Sequence, residues 1–160
     1  MKGIFWAACV AVAAGAFCGC KASKPSALET TFVSWVKHSI TVGGSHDRNP
    51  FPATAENVDE GRQAFTQYCS VCHGLDGQNT GVPFADTVSP PVPSLDSREV
   101  QSYSDGQLKW IIQNGIMPSG MPPAQGLFSD EDMWKMVLYI RHLPPKGSLG
   151  EPSVYGGAGK

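Results

Sequence analysis

Cys69, Cys72 and His73 stand at i, i+3 and i+4 in the run Cys69-Ser70-Val71-Cys72-His73. Two thiols and an imidazole in that order can attach and ligate a c-type haem. The thiols add to the porphyrin vinyl groups, and the imidazole supplies the first axial ligand to iron. The pattern from Val58 to Tyr68 reads as a helix leading into the run, which puts all three side chains on one face. With five cysteines and four histidines in 160 residues, such a run arises by accident about 0.004 times. A Cys-x-x-Cys redox or zinc site competes for the same residues. The first needs a βαβ setting absent from this sequence, and the second needs another ligand pair. Haem attachment is the chemistry these residues favour.

His73 leaves one axial position of the iron open, for a methionine, a second histidine or nothing. Met121 is the best candidate, in Gly120-Met121-Pro122 on a proline-stiffened loop, and Met117 stands four residues earlier as the alternative. Met133 and Met136 lie on the apolar face of a helix, where methionine usually fills a core. His38, His46 and His142 read as surface residues, with His142 placed to suit a helix C-terminus.

Three helices must position these groups. The first runs from about Val58 into the motif, with Gly61, Ala64, Phe65 and Tyr68 on one side, and His73-Gly74 ends it. Ser104-Asp105-Gly106-Gln107 is a capping box that opens a second helix through Leu108, Trp110, Ile111 and Ile112, closed by Gly115. The last helix starts at Ser129-Asp130-Glu131-Asp132, carries Met133, Trp134, Val137, Leu138 and Ile140, and stops before Pro144-Pro145. Pro90, Pro91 and Pro93 exclude regular structure between Asp86 and Asp96. No strand pattern emerges, so the domain reads as all-α with long loops. Such loops are unusual in a small domain, but a central porphyrin gives them something to wrap.

Residues 1–20 read as an export signal, with Lys2 ahead of an apolar run from Ile4 to Phe17 that is shorter than the ~20 residues of a membrane span. Ala14-Gly15-Ala16 suits a signal peptidase, whereas Phe17-Cys18-Gly19-Cys20 resembles an imperfect lipoprotein box. Acylation of Cys20 would leave no free thiol once Cys69 and Cys72 hold haem, which favours a membrane-associated lipoprotein. Residues 21–54 follow as a tether, a short amphipathic helix and a loop. The helix, Glu29 to Ile40, bears a Phe32, Trp35, Val36 and Ile40 stripe. Residues 55–145 form the domain proper, and 146–160 read as a flexible glycine-rich tail. Eleven acidic and five basic residues between Ala55 and Pro145 give the domain a charge of −6. That excludes a nucleic-acid footprint, which is basic.

Cys69-Ser70-Val71-Cys72-His73-Gly74, Asn114-Gly115-Ile116, Gly120-Met121-Pro122-Pro123 and Leu138-Tyr139-Ile140-Arg141 before Leu143-Pro144 together resemble the class I cytochrome c domains of bacterial periplasmic electron transport. The resemblance implies three or four helices around one covalent haem, with first and last helices crossed. Gly61 and Phe65 on the first helix would meet Tyr139 on the last. A proline carbonyl would orient the axial histidine; Pro91 is the first choice, with Pro90 and Pro93 as competitors. Phe65, Leu95, Trp110, Ile111 and Val137 are the expected lining of the haem.

Histidine and thioether ligation favours reversible one-electron transfer. The expected function is therefore a periplasmic or membrane-associated electron carrier, not an enzyme, that meets redox partner proteins transiently. It would act as a monomer or as a subunit docked in a periplasmic oxidoreductase complex. A five-coordinate iron would instead give a small-ligand sensor or a peroxidase-like enzyme.

Overall fold

The computed structural model describes residues 42–117 and 119–156. The export signal, Cys20 and the Glu29–Ile40 stripe lie outside the described residues. The regular elements among the described residues are α1 (Ala55–Tyr68), α2 (Ser70–His73), α3 (Arg98–Gln101), α4 (Asp105–Asn114) and α5 (Asp130–Arg141). Among the described residues the only extended pairings are two isolated bridges, Ile116 with Met121 and Gln125 with Phe128. No helix among them is long and apolar enough to cross a membrane. The all-α expectation holds, with α2 and α3 as single turns beside three longer helices.

Local chemistry sets each helix start. Thr54 caps α1 by accepting from the Asn57 N–H at 3.2 Å, so α1 begins a turn earlier than its apolar pattern suggests. Both expected capping residues form full capping boxes: Ser104 with Gln107 on α4, and Ser129 with Asp132 on α5. Asp130, Glu131 and Asp132 fill the first turn of α5, where the helix dipole favours negative charge. Sequence patterning missed α3, a single turn capped by Ser97.

The core is the crossing of α1 and α5. Gly61 makes it possible: a Cβ there would lie 2.0 Å from the Lys135 carbonyl oxygen. Beyond the crossing, Phe65 and Tyr139 pack with ring centroids 5.1 Å apart, both almost wholly buried. Met133, Met136, Val137 and Ile140 complete the α5 side, and Leu108, Ile112 and Leu95 join from the other elements. Lys135 is buried at the same crossing and is ion-paired with Glu60 and with Glu131. Arg141 ties α5 to the entry of α4, donating to Asp105, to the Gln101 carbonyl and side chain, and to the Tyr103 carbonyl.

Two flanking segments are more ordered than their composition suggests. The loop before α1 lies on the domain: Asn49 Nδ2 donates to the Trp134 carbonyl at 2.9 Å, and Phe51 lies under the Lys135 ammonium. Residues 146–156, expected as part of a flexible tail, fold back instead. Gly147 donates to the buried Asp76, Pro152 is buried, and Tyr155 reaches the motif. Gly147 and Gly150 turn that segment at φ 77° and 72°, dihedrals that glycine adopts without strain.

Candidate haem site

The motif continues the path of α1 with one break. Cys69 keeps helical dihedrals (φ −83°, ψ −29°), so the i, i+3, i+4 relation of Cys69, Cys72 and His73 is retained. The Cys69 N–H donates to Phe65, while the Cys69 carbonyl accepts from Cys72 and His73. Gly74 ends the turn at φ 74°, and a Cβ there would press on the Thr80 backbone nitrogen at 2.8 Å. Glycine is required at that position on both counts.

The electrostatics suit the group. Cys69 and Cys72 are free thiols. Burial, with the neighbouring Cys72, pushes the Cys69 thiol up to about 12. Burial pulls His73 down to about 4, opposed by the Pro93 backbone carbonyl, so the imidazole is neutral and able to ligate. His73 Nδ1 is a buried atom with no hydrogen-bond partner of good geometry. An orphaned buried nitrogen is costly and points to an incomplete site. Two unpaired thiols beside a neutral imidazole fit a covalently attached haem. Cys69 and Cys72 would hold it, His73 Nε2 would ligate its iron, and Nδ1–H would turn to the Pro93 carbonyl.

The orienting carbonyl was expected at Pro91, but Pro93 is the proline whose backbone acts on His73. The cause is visible in the loop: Asn79 Nδ2 donates to the Val92 carbonyl at 2.8 Å, and the Leu95 N–H donates to Gly77 at 2.8 Å. These two bonds lay residues 92–95 against the turn that leaves the motif.

The methionine loop is held to α4. The last carbonyls of α4, which have no partner within the helix, accept from residues further on: Ile111 from Gly115, Ile112 from Ala124 and Gln113 from Gln125. Gly115, at φ 69°, lies where a Cβ would meet the Met121 carbonyl oxygen at 2.5 Å. Met121 is half-buried, whereas Met117 is 83% exposed. Tyr68, one residue before the motif, donates to the Pro123 carbonyl at 3.4 Å and packs on Phe128. Those contacts bring the loop of Met121 to the end of α1.

Of the expected lining residues, Phe65, Leu95 and Val137 belong to the core cluster, and Ile111 is buried. Trp110 is different. It packs against Gly43, where a Cβ would meet its indole nitrogen at 2.6 Å, and is covered by the segment before α1. Sequence reading also missed Asp76, which is fully buried. It accepts from Thr80 Oγ1 at 2.5 Å, from Gln78 N–H at 2.9 Å and from Gly147 N–H at 2.7 Å. Burial alone would raise its pKa, but these hydrogen bonds outweigh burial and lower it. Just before it, the Leu75 carbonyl accepts from the Tyr139 hydroxyl at 2.7 Å.

Residues 56–140 match the family model for cytochrome C oxidase, cbb3-type, subunit III. The chain belongs to this cytochrome c domain family. It is thus a class I c-type cytochrome with the all-α fold of that class, and its cofactor is a covalently bound c-type haem with iron. The chain is 26% identical over 119 residues to thiosulfate dehydrogenase of Psychrobacter arcticus, covering 71% of this chain and 36% of that protein. It is 29% identical over 96 residues to quinohemoprotein alcohol dehydrogenase ADH IIB of Pseudomonas putida, covering 59% and 12%. It is 26% identical over 99 residues to cytochrome c550 of Pseudomonas aeruginosa, covering 60% and 62%. The matches thus span less than two thirds of each of these relatives.

Proposed function

We propose that this cytochrome is a one-electron carrier with His73 and Met121 as axial ligands, exported to the periplasmic side and tethered there through acylated Cys20. The observation that carries the reading is the neutral, buried His73 beside the two free thiols of Cys69 and Cys72, with its Nδ1 unpaired. Support for Met121 over Met117 comes from the exposure of Met117 and from the tie between Tyr68 and Pro123. Haem supplies the reversible ferric–ferrous couple. A thioether ligand and an apolar shell containing Phe65, Leu95 and Val137 raise its potential. The chain's own part is to fix the imidazole, keep water from the iron and present an acidic surface to its partners. Contacts with those partners fall at the small, transient end of protein–protein interfaces.

The test is the far-red methionine-to-iron charge-transfer band of the oxidised protein. The band is expected in wild type and in Met117→Ala, and lost in Met121→Ala. A high-spin wild type whose reduced form binds carbon monoxide at neutral pH would replace the carrier reading with the ligand-binding one.

A second reading has its own support. The thiosulfate and alcohol dehydrogenase relatives are longer than this chain, so the domain also suits the role of electron-transfer subunit for a periplasmic oxidoreductase. Stable co-purification with a dehydrogenase would favour that reading, and a monodisperse monomer would favour the free carrier.

A further inference from the structure

The backbone on both sides of His73 is held by residues that follow α5. In a continuing helix the Val71 carbonyl would accept from the Leu75 N–H, but the turn at Gly74 removes that donor. The Tyr155 hydroxyl replaces it at 2.7 Å, from 84 positions along the chain. On the other side of His73, the Gly147 N–H donates to Asp76 Oδ2 at 2.7 Å, and Gln78 Nε2 donates to the Pro144 carbonyl at 2.8 Å. Between these anchors Glu151 lies over Gly81 so closely that a Cβ there would meet its Cγ at 2.3 Å. Tyr155 meets Phe84 edge-on at 6.2 Å. The segment therefore grips residues 71, 76, 78, 81 and 84, and His73 sits inside the grip.

We propose that residues 144–155 form a positioning clasp for the axial histidine, fixing the backbone before and after His73 and so the rotation of its imidazole over the haem. The proposal rests on the haem-carrier reading. A tail that merely covered surface would need none of these directed bonds. Here they meet the Val71 carbonyl, left without its helical donor at an exposed position, and the fully buried Asp76 carboxylate, which cannot be left unpaired without cost. Ring orientation matters because it would set overlap with the iron orbitals and whether Nδ1–H can reach the Pro93 carbonyl. Tyr155 is thus a positioning residue that acts through the backbone of the ligand.

The experiment compares wild-type holoprotein with Tyr155→Phe, with a chain ended after Ser148, and with the exposed-site control Val154→Ser. Ending after Ser148 keeps the Gly147 bond to Asp76 but removes Glu151, Pro152 and Tyr155. The readouts are the paramagnetic haem-methyl shifts of the ferric protein, which report imidazole orientation, together with the reduction potential. Both are expected to move in Tyr155→Phe and further in the shortened chain, and to stay at wild-type values in Val154→Ser. If both altered chains only melt earlier and keep the wild-type methyl pattern and potential, the clasp is refuted and the segment is a stabilising strap. If the shortened chain does not accumulate, Tyr155→Phe alone decides. A wild type with no covalent haem in its pyridine haemochrome spectrum overturns the carrier reading separately. Amide exchange at 74–78 then tests the clasp: a rise of roughly 2- to 12-fold is expected in Tyr155→Phe for one lost hydrogen bond, and unchanged exchange refutes it.

Discussion

Replacing Gly61 by alanine would place a methyl group 2.0 Å from the Lys135 carbonyl oxygen, 2.4 Å from its carbon and 3.1 Å from the Met136 nitrogen. All three are backbone atoms, so no rotamer change relieves the overlap. Restoring van der Waals distance requires α1 and α5 to part by roughly 1 Å, and a gap of that size forfeits up to about half of each contact's dispersion energy. The contacts concerned are those of Phe65, Met136 and Tyr139, the most deeply buried large side chains of the core. Strain and lost packing together cost about 3–4 kcal/mol, and the better helix propensity of alanine returns about 1 kcal/mol. The net loss of about 2–3 kcal/mol corresponds to a fall in Tm of roughly 10–20 °C for a domain near 100 residues. Urea unfolding and thermal melting of the holoprotein, followed by far-ultraviolet circular dichroism, measure it. Gly126→Ala is the control, because nothing lies within 4 Å of the added methyl and only its φ of 84° opposes it. It should cost about 1–2 kcal/mol. A Gly61→Ala protein within 0.5 kcal/mol of wild type would refute the close-crossing account.

Asp76→Asn removes an acceptor of three hydrogen bonds and is expected to destabilise by about 2–4 kcal/mol in chemical denaturation at pH 7. The lowered pKa of Asp76 adds a pH signature. Its contribution is present above the unfolded value near 3.8 and is lost as pH falls through the lower folded value. The variant should therefore lose less stability than wild type on acidification from pH 5 to pH 2. Tyr139→Phe leaves the Leu75 carbonyl without its donor at an almost unchanged core volume, an expected cost of about 1–2 kcal/mol with the Phe65 contact retained. Burial holds the Tyr139 phenol up near 12, so the alkaline absorbance change of wild type should include one late-titrating tyrosine that Tyr139→Phe lacks. Arg141→Lys keeps the charge but cannot reproduce a planar fork serving Asp105, Gln101 and Tyr103 at once. A loss of about 1–3 kcal/mol is expected in the same unfolding assay.

The helical spacing of Cys69, Cys72 and His73 was legible because it is local: two thiols and an imidazole one turn apart need no distant residue to set their relation. The capping boxes at Ser104 and Ser129 were legible for the same reason, since a cap and its partner lie three residues apart. Gly61, Phe65 and Tyr139 could be paired only through resemblance to a family, because their meeting depends on how two helices far apart in sequence cross. Pro93, and not Pro91, is the proline whose carbonyl acts on His73, because two long-range bonds, from Asn79 to Val92 and from Leu95 to Gly77, lay residues 92–95 against the turn that leaves the motif. Asp76 stood in a glycine-rich run that reads as solvated loop, and nothing in its neighbours announces burial. Tyr155 offered a faint signal as the one aromatic in a glycine-rich tail, but its target at Val71 does not show in sequence.

The separation between the two crossed helices sets a schedule for assembly. Cys69 and Cys72 leave the ribosome at the end of α1, about 70 residues before Tyr139 completes the surface that α1 packs against. At about 5–20 residues per second that interval lasts roughly 3–14 s. Throughout it, the face of α1 bearing Phe65 has no partner, and neither thiol has its folded surroundings. The chain is built so that its reactive sulfurs exist as accessible groups before the architecture that encloses them, and the close approach at Gly61 shuts the structure only when the last helix arrives.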